Sequence, residues 1–306
     1  MATTPRISVL LTAYNRADFI AEAIESVLAQ SVTDFELVIC DDRSSDATAD
    51  IVRDYARRDS RIRFSINERN LGDYSNRRQV ASLAQGRFLK YHDSDDVMYP
   101  HCLKTMVEPL EAEPRAAFAM SGPCSWPGGP CPMLLTPRLA YEREFLGFGL
   151  FQQGPASALF RAEAFRELGG FPEVAYAGDY LFWLSACTKV NVLLVPGDLF
   201  YYRVHAGQEL VKPESRIAYA RATAEAWRML NSAECPLTGN TLERAKRNFV
   251  YTQGRVVYRN LKARRFESIA ILLRHVGLGP LDWASYMRPP HRTASAGTPT
   301  AGQEPR

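Results

Sequence analysis

The first hundred residues alternate between short, continuous apolar runs and longer amphipathic ones, and this alternation is what most constrains the fold. "RISVLLTAY" (6–14) is apolar and β-branched almost throughout, the mark of a strand covered on both faces. In "ADFIAEAIESVLAQ" (17–30), Ile20, Ile24, Val27 and Leu28 recur at helical spacing, with Asp18 placed to cap the helix. "FELVICDD" then predicts a second strand, "SSDATADIVRDYARR" a helix with Ser or Asp available to cap it, and "IRFSINE" a third strand. "NRRQVASLAQ" predicts a third helix and "RFLKYHD" a fourth strand. Such an order implies right-handed crossovers and a mainly parallel sheet flanked by helices. Ligands bind such sheets beyond the carboxyl ends of the strands. Polar residues gather there: Thr12, Tyr14 and Asn15 after the first strand, Asp41 and Asp42 after the second, Asn70 and Gly72 after the third, Asp93 and Asp95 after the fourth.

The last of these clusters, "KYHDSDDVMYP" (90–100), sets Asp93, Asp95 and Asp96 within four positions. Like charges this close raise one another's pKa unless a cation compensates them. Clustered carboxylates suit Mg²⁺ or Mn²⁺, which take one or two protein carboxylates and fill the remaining positions with phosphate oxygens and water. The alternative is a solvated turn in which an aspartate caps a helix in "VMYPHCLKTM". Convergence of four loops on one rim favours the metal.

With 306 residues, 46% of them hydrophobic, the chain holds one large domain or one domain with an appendage. Its 37 basic and 34 acidic residues are too balanced to point to nucleic acid, and none is expected as a partner. There is no apolar run of about 18 residues, and "MATTPRISVLLTAYN" lacks the pattern of a leader, so a cytoplasmic location is expected. Six irregularly spaced cysteines fit reduced thiols; Cys124 and Cys131 in "PCSWPGGPCP" are expected as ordinary loop thiols, with a bridge or a metal site as the alternatives.

"ISVLLTAYNRADFIAEAIESVLAQSVTDFELVICDDRSSDAT" closely resembles the opening of the family 2 glycosyltransferases, nucleotide-sugar-dependent enzymes of GT-A fold. The resemblance continues through "NLGDYSNRRQVASLAQGRFLKYHDSDDVMYP", "GPASALFRAEAFRELGGFPE", "GDYLFWLSA" and "VPGDLFYYRVH", covering roughly residues 6–206. It implies a Rossmann-like nucleotide-binding half, a metal-binding aspartate motif, and an acceptor-facing half that carries the catalytic base. Thr12 and Tyr14 match positions lining the nucleotide base, and Asp42 the carboxylate that accepts from a uracil-type N3–H, a role suited to an acceptor-only group. A capping role is the alternative for Asp41 or Asp42. Arg77 matches an arginine near the diphosphate, although the asparagine usual after it is Arg78 here. Within the aspartate motif the resemblance makes Asp95 the metal ligand, turns Asp93 toward the ribose or the metal's waters, and leaves Asp96 as a structural cap. Asp179 matches the presumed base, with an N-cap as the alternative, and the acid usual before it is replaced by Gly178. His205 matches a histidine that approaches the metal or the diphosphate, or it is an ordinary packed histidine.

Residues 1–210 are thus expected to form the catalytic domain, 211–288 a helical appendage and 289–306 a disordered tail. The appendage packs on the catalytic domain or lays a basic face on anionic lipid, many substrates of the family being lipid-linked. The implied activity is inverting transfer from a UDP- or dTDP-linked sugar to the hydroxyl of a carbohydrate or lipid-linked acceptor, with Mn²⁺ or Mg²⁺, in cell-surface polysaccharide or glycoconjugate synthesis. Two alternatives come from other classes. One is a catalytically silent sugar-nucleotide-binding module; the other is a haloacid-dehalogenase-type phosphatase, whose DxDx[TV] motif "DSDDV" also satisfies but at the wrong strand.

Overall fold

The computed structural model describes residues 4–123, 130–147, 149–205, 208, 213–279 and 281–283. β1 (Ile7–Ala13), α1 (Ile20–Leu28), β2 (Phe35–Asp41), α2 (Thr48–Arg58), β3 (Ile62–Ile66), α3 (Asp73–Ser82) and β4 (Phe88–Asp93) follow one another as the alternation requires. β1 lies between β2 and β4 and β2 pairs with β3, all in parallel. Then come β5 (Val97–Met98), α4 (Cys102–Ala112), β6 (Ala116–Gly122), β7 (Met133–Leu135), α5 (Pro137–Leu146), β8 (Ala158–Arg161), α6 (Ala162–Glu167), α7 (Gly178–Ala186), β9 (Asn191–Pro196) and β10 (Phe200–Tyr201). The eight-stranded sheet runs β3-β2-β1-β4-β8-β6-β9-β7, with β8 antiparallel to both neighbours and β7 antiparallel to β9.

The sheet is covered on both sides, which is why its central strands read as continuous apolar runs. Val9, Leu11, Leu37 and Ile39 face one core with α1 and α4. Leu10, Val38 and Tyr91 face the other with α3, α5 and α7. In that second core Trp183 of α7 stacks on Phe160 of β8, with ring centroids 5.6 Å apart and planes 5° from parallel, which fixes α7 against the sheet. The C-terminal helices α8 (Pro213–Leu230) and α9 (Gly239–Lys262) extend the same core through Ala226, Met229, Phe249 and Val250, and α10 (Phe266–His275) packs Leu272 against it. Packing of these helices on the sheet domain is therefore observed. The tail 289–306 lies outside the described residues.

Some local expectations are corrected. Asp18 does not cap α1: the Arg16 carbonyl already accepts from the N–H groups of Phe19 and Ile20, so the first turn closes on backbone alone. The third helix starts at Asp73 rather than Asn76, because Gly72, at φ +85°, turns the loop just before it. Cys131 is disulfide-bonded, not an ordinary thiol. Cys40, Cys102, Cys187 and Cys235 are free, and Cys124 lies outside the described residues.

Candidate active site

Parallel pairing brings the ends of β1, β2 and β4 level: Ala13 stands opposite Asp41 and Thr12 opposite Asp93. Thr12 is half-buried, and Tyr14 exposes its ring beyond it. Asp41 is buried and closes the turn after β2, accepting from the backbone N–H and hydroxyl of Ser44. Asp42, 3% exposed, accepts from Asn67 Nδ2 (2.8 Å) and from the N–H groups of Leu71 (2.8 Å) and Gly72 (2.9 Å). Its carboxylate therefore organises the loop into α3, leaving about one of its four lone-pair sites for a ligand.

Arg77 is buried and bridges two carboxylates, donating to Asp73 (2.8 Å) and to Asp93 (2.7 Å). Burial raises the pKa of Asp93, but the charge and hydrogen bond of Arg77 overcome it and hold the group below the usual carboxylate range. Among the described residues, the buried Nη1 of Arg77 has no hydrogen-bond partner. Asp95 Oδ2 meets Arg16 Nε at 3.1 Å and His205 Nε2 at 2.9 Å. His205 is 110 positions away along the chain. It arrives because β10 pairs antiparallel with β5, Phe200 opposite Met98 and Tyr201 opposite Val97, which lays the strand's exit beside the aspartates. Asp96 does not cap α4, whose N-cap is His101; its Oδ1 instead accepts from the Arg203 N–H (3.0 Å). Burial and the neighbouring Asp93 push the Asp96 carboxyl up to about 7. The cluster is thus not a solvated turn: Asp95 is ion-paired to Arg16, Asp93 to Arg77, and Asp96 is buried.

No group of three or more His, Cys, Asp or Glu side chains among the described residues is arranged to hold a metal. Asp95 Oδ2 and His205 Nε2 are adjacent donor atoms of types that divalent ions accept. Their 2.9 Å separation is that of a hydrogen bond, and an ion held by these two would fill its other positions with water and phosphate oxygens.

Asp179 lies in the first turn of α7, one residue beyond the Ala177–Gly178 boundary and not at the N-cap. Its backbone N–H donates to Tyr74 Oη (3.0 Å), and its Oδ1 accepts from the Tyr180 N–H (2.7 Å). Burial pushes its pKa up to about 6, against the pull of those hydrogen bonds and of Arg77. Position 178 has to be glycine: a Cβ there would stand 2.7 Å from the Tyr74 ring and 2.9 Å from the Pro172 carbonyl oxygen, so no acid fits before Asp179. Through Tyr74, Asp73 and Arg77, α3 links Asp179 to Asp93. Arg16, Lys90, Tyr74 and Arg203 were not singled out by sequence. Arg16 and Lys90 stand next to quoted motifs and could have been sought as counter-charges, whereas nothing in the sequence points to Tyr74.

Beside Asp179 opens a cavity of about 680 Å³, walled by α5, α7 and all three C-terminal helices. No helix among the described residues is long and apolar enough to cross a membrane.

A family model described as "Glycosyl transferase family 2" matches residues 8–169. The succinoglycan biosynthesis protein ExoO of Rhizobium meliloti is 40% identical over 108 residues, 35% of this chain and 30% of that protein. The UDP-Glc:alpha-D-GlcNAc-diphosphoundecaprenol beta-1,3-glucosyltransferase WfaP of Escherichia coli is 28% identical over 218 residues, 66% of this chain and 78% of that protein. The curated relatives matched at 33–40% identity are covered over only 15–46% of their own lengths. Among solved structures, S. aureus TarS in complex with UDP-GlcNAc superposes with a TM-score of 0.59 at 22% identity, over 80% of this chain and 70% of that one. The mannosyltransferase PcManGT of Pyrobaculum calidifontis, in complex with GDP-Man and Mn²⁺, gives 0.61 at 17% identity, over 93% and 79%. These likenesses establish the GT-A fold.

Proposed function

The chain belongs to glycosyl transferase family 2, and from that premise we propose that it moves a sugar from a UDP- or dTDP-linked donor to an acceptor hydroxyl with inversion. The acceptor is a carbohydrate or lipid-linked glycan of polysaccharide or glycoconjugate synthesis. The observation that carries this reading is the pairing, across α3, of two carboxylates driven in opposite directions: Asp93 held ionised by Arg77, and Asp179 poised near 6 beside a cavity. Titratable groups pushed apart by their surroundings mark acid–base division of labour.

Thr12, Tyr14 and the remaining lone pair of Asp42 receive the base, which therefore has an N–H to donate. Asp93, fixed by Arg77, faces the ribose, and the buried charge of Arg77 lies behind it on the side of the diphosphate. Asp95 and His205 would hold Mn²⁺ or Mg²⁺, whose Lewis acidity neutralises charge on a departing diphosphate. Asp179 takes the proton of the acceptor hydroxyl as its oxygen bonds the anomeric carbon, and the bond to the diphosphate breaks on the opposite face. Helices α8–α10 roof the Asp179 side and limit water, which would otherwise hydrolyse the donor.

On the outer side of the same helices, Tyr258, Leu261, Phe266 and Leu273 are exposed among Arg259, Lys262, Arg264 and Arg274. That mixture suits peripheral contact with anionic lipid, where a lipid-linked acceptor would be found. Steady release of nucleotide from a UDP-sugar with Mn²⁺, abolished by EDTA, tests the transferase reading. A silent module would bind UDP without turnover. A dehalogenase-type phosphatase would need Asp93 as a free nucleophile at the end of the first strand, whereas Asp93 ends β4 and is ion-paired.

A further inference from the structure

The first N–H groups of a helix have no acceptor within it, and the N-cap of α7, Ala177, has no side chain to offer them. Two of these groups are answered beside the cavity. Asp179 Oδ1 takes the Tyr180 N–H (2.7 Å), and Tyr74 Oη, reaching across from α3, takes the N–H of Asp179 itself (3.0 Å). Resting on the reading of Asp179 as the base, we propose that Tyr74 is its positioning residue: the phenol accepts from the Asp179 backbone, donates to the Asp179 carboxylate, and so sets that carboxylate against the sugar donor.

The ring is held where it can do this. Tyr74 is 5% exposed, meets Phe171 edge-on with centroids 5.9 Å apart, and fills the space that the missing Cβ of Gly178 leaves. A phenol has one proton and two lone pairs, so with a lone pair given to the Asp179 N–H its proton remains for the carboxylate. Burial pushes the Asp179 pKa up to about 6, and the hydrogen bonds of the Tyr180 N–H and the Tyr74 hydroxyl, with the charge of Arg77, pull against it. The other titratable or charged groups facing Asp179 are Asp73 of α3, Glu144 of α5, Tyr219 and Arg216 of α8, and Arg265 before α10. All of them stay in place when only the hydroxyl is removed. The helix that carries this hydroxyl is itself pinned: the Gly72 N–H donates to Asp42 (2.9 Å) just before it, and Arg77 donates to Asp93 (2.7 Å) one turn on. Both carboxylates belong to the donor side, so a single turn of α3 sets the distance between donor and base, where a displacement of about 1 Å costs about 10²-fold in rate.

Tyr74→Phe keeps the ring and removes only the hydroxyl. UDP release from UDP-glucose or UDP-N-acetylglucosamine, whichever wild type turns over with Mn²⁺, is measured across pH, and UDP affinity is measured separately. The variant should lose about 10- to 100-fold in kcat on the alkaline plateau with UDP affinity unchanged. Its acid limb, near pH 6 in wild type, should move up by about one pH unit, the scale of a lost hydrogen bond to a charged group. In the Asp179→Asn background the same change should cost no more than about twofold, because a residue that acts through the base then has nothing to position. A wild-type rate and limb in Tyr74→Phe, or a loss of equal size in the Asp179→Asn background, would make Tyr74 a structural residue only and leave the transferase reading standing. If Tyr74→Phe fails to fold or to bind UDP, a tyrosine fluorinated beside its hydroxyl is placed at position 74. Its more acidic phenol donates more strongly, so the limb should move to lower pH, and an unmoved limb would overturn the proposal. Asp179→Asn as active as wild type, or no UDP release by wild type, is a different result: it removes the reading of Asp179 as base and this proposal with it.

Discussion

Two carboxylates flank α3, and the fold treats them oppositely. Asp93, at the end of β4, is buried yet held ionised because Arg77 reaches it at 2.7 Å. Asp179, in the first turn of α7, is buried with hydrogen bonds but no contacting cation among the described residues, and its pKa rises to about 6. The difference shows that burial alone does not set protonation. A fixed counter-charge within hydrogen-bond reach outweighs desolvation, and its absence lets desolvation win.

The sharpest way to break this comparison is Asp179→Asn. If Asp179 is the base, transfer should fall by about 10²- to 10⁴-fold with UDP affinity intact, as read from single-turnover rates and nucleotide titration. The wild-type rate should decline as pH falls through about 6, and that limb should vanish from the residual activity. Stability has its own sign. Because the folded pKa exceeds the unfolded value, the favourable contribution is complete below the ordinary carboxylate range and is lost as pH rises through about 6. The variant should therefore be at least as stable as wild type at neutral pH.

Asp95→Ala follows, with an expected loss of about 10²-fold or more in Mn²⁺-dependent turnover, corresponding to several kcal/mol of charge stabilisation. Activity that is unchanged and still sensitive to EDTA would remove Asp95 from the metal site.

Arg77→Met tests the other arm of the comparison through stability. It leaves Asp93 without its partner, and breaking a buried pair costs about 3–5 kcal/mol in urea unfolding. Asp93 has a lowered folded pKa, so its contribution is present above the ordinary carboxylate range and lost as pH falls through the depressed value. The destabilisation should therefore shrink in acid. A variant equally destabilised at all pH values would mean that Arg77 acts by packing.

The smallest effect is expected at Asp42→Asn, about 1–3 kcal/mol for a hydrogen bond to a charged group. Since Asn67, Leu71 and Gly72 all donate to this carboxylate, the loss should divide between UDP affinity and melting temperature. Protection by GDP equal to that by UDP would count against a uracil-type donor.

Much of this was legible in the sequence for a physical reason: strands buried on both faces must be continuously apolar, and crossover helices must be amphipathic. β1 to β4, the polar ends of those strands and the assembly of Asp42, Asp93 and Asp95 on one rim followed from that alone. Motif resemblance then supplied Asp179 and His205. What sequence could not decide was which partner answers which carboxylate. Arg16 meets Asp95 across 79 positions and His205 meets it across 110, through the two-residue ribbon of β5 and β10, a pairing too short to leave a periodic signal. The glycine before Asp179 read as a lost acid, but its cause is the Tyr74 ring 2.7 Å from where a Cβ would stand. Composition showed α8–α10 only as amphipathic helices. Their inward wall of the Asp179 cavity and outward basic, apolar face were assigned by how they pack on the α5 and α7 side of the sheet, because periodicity marks a helix's faces without naming what each one meets.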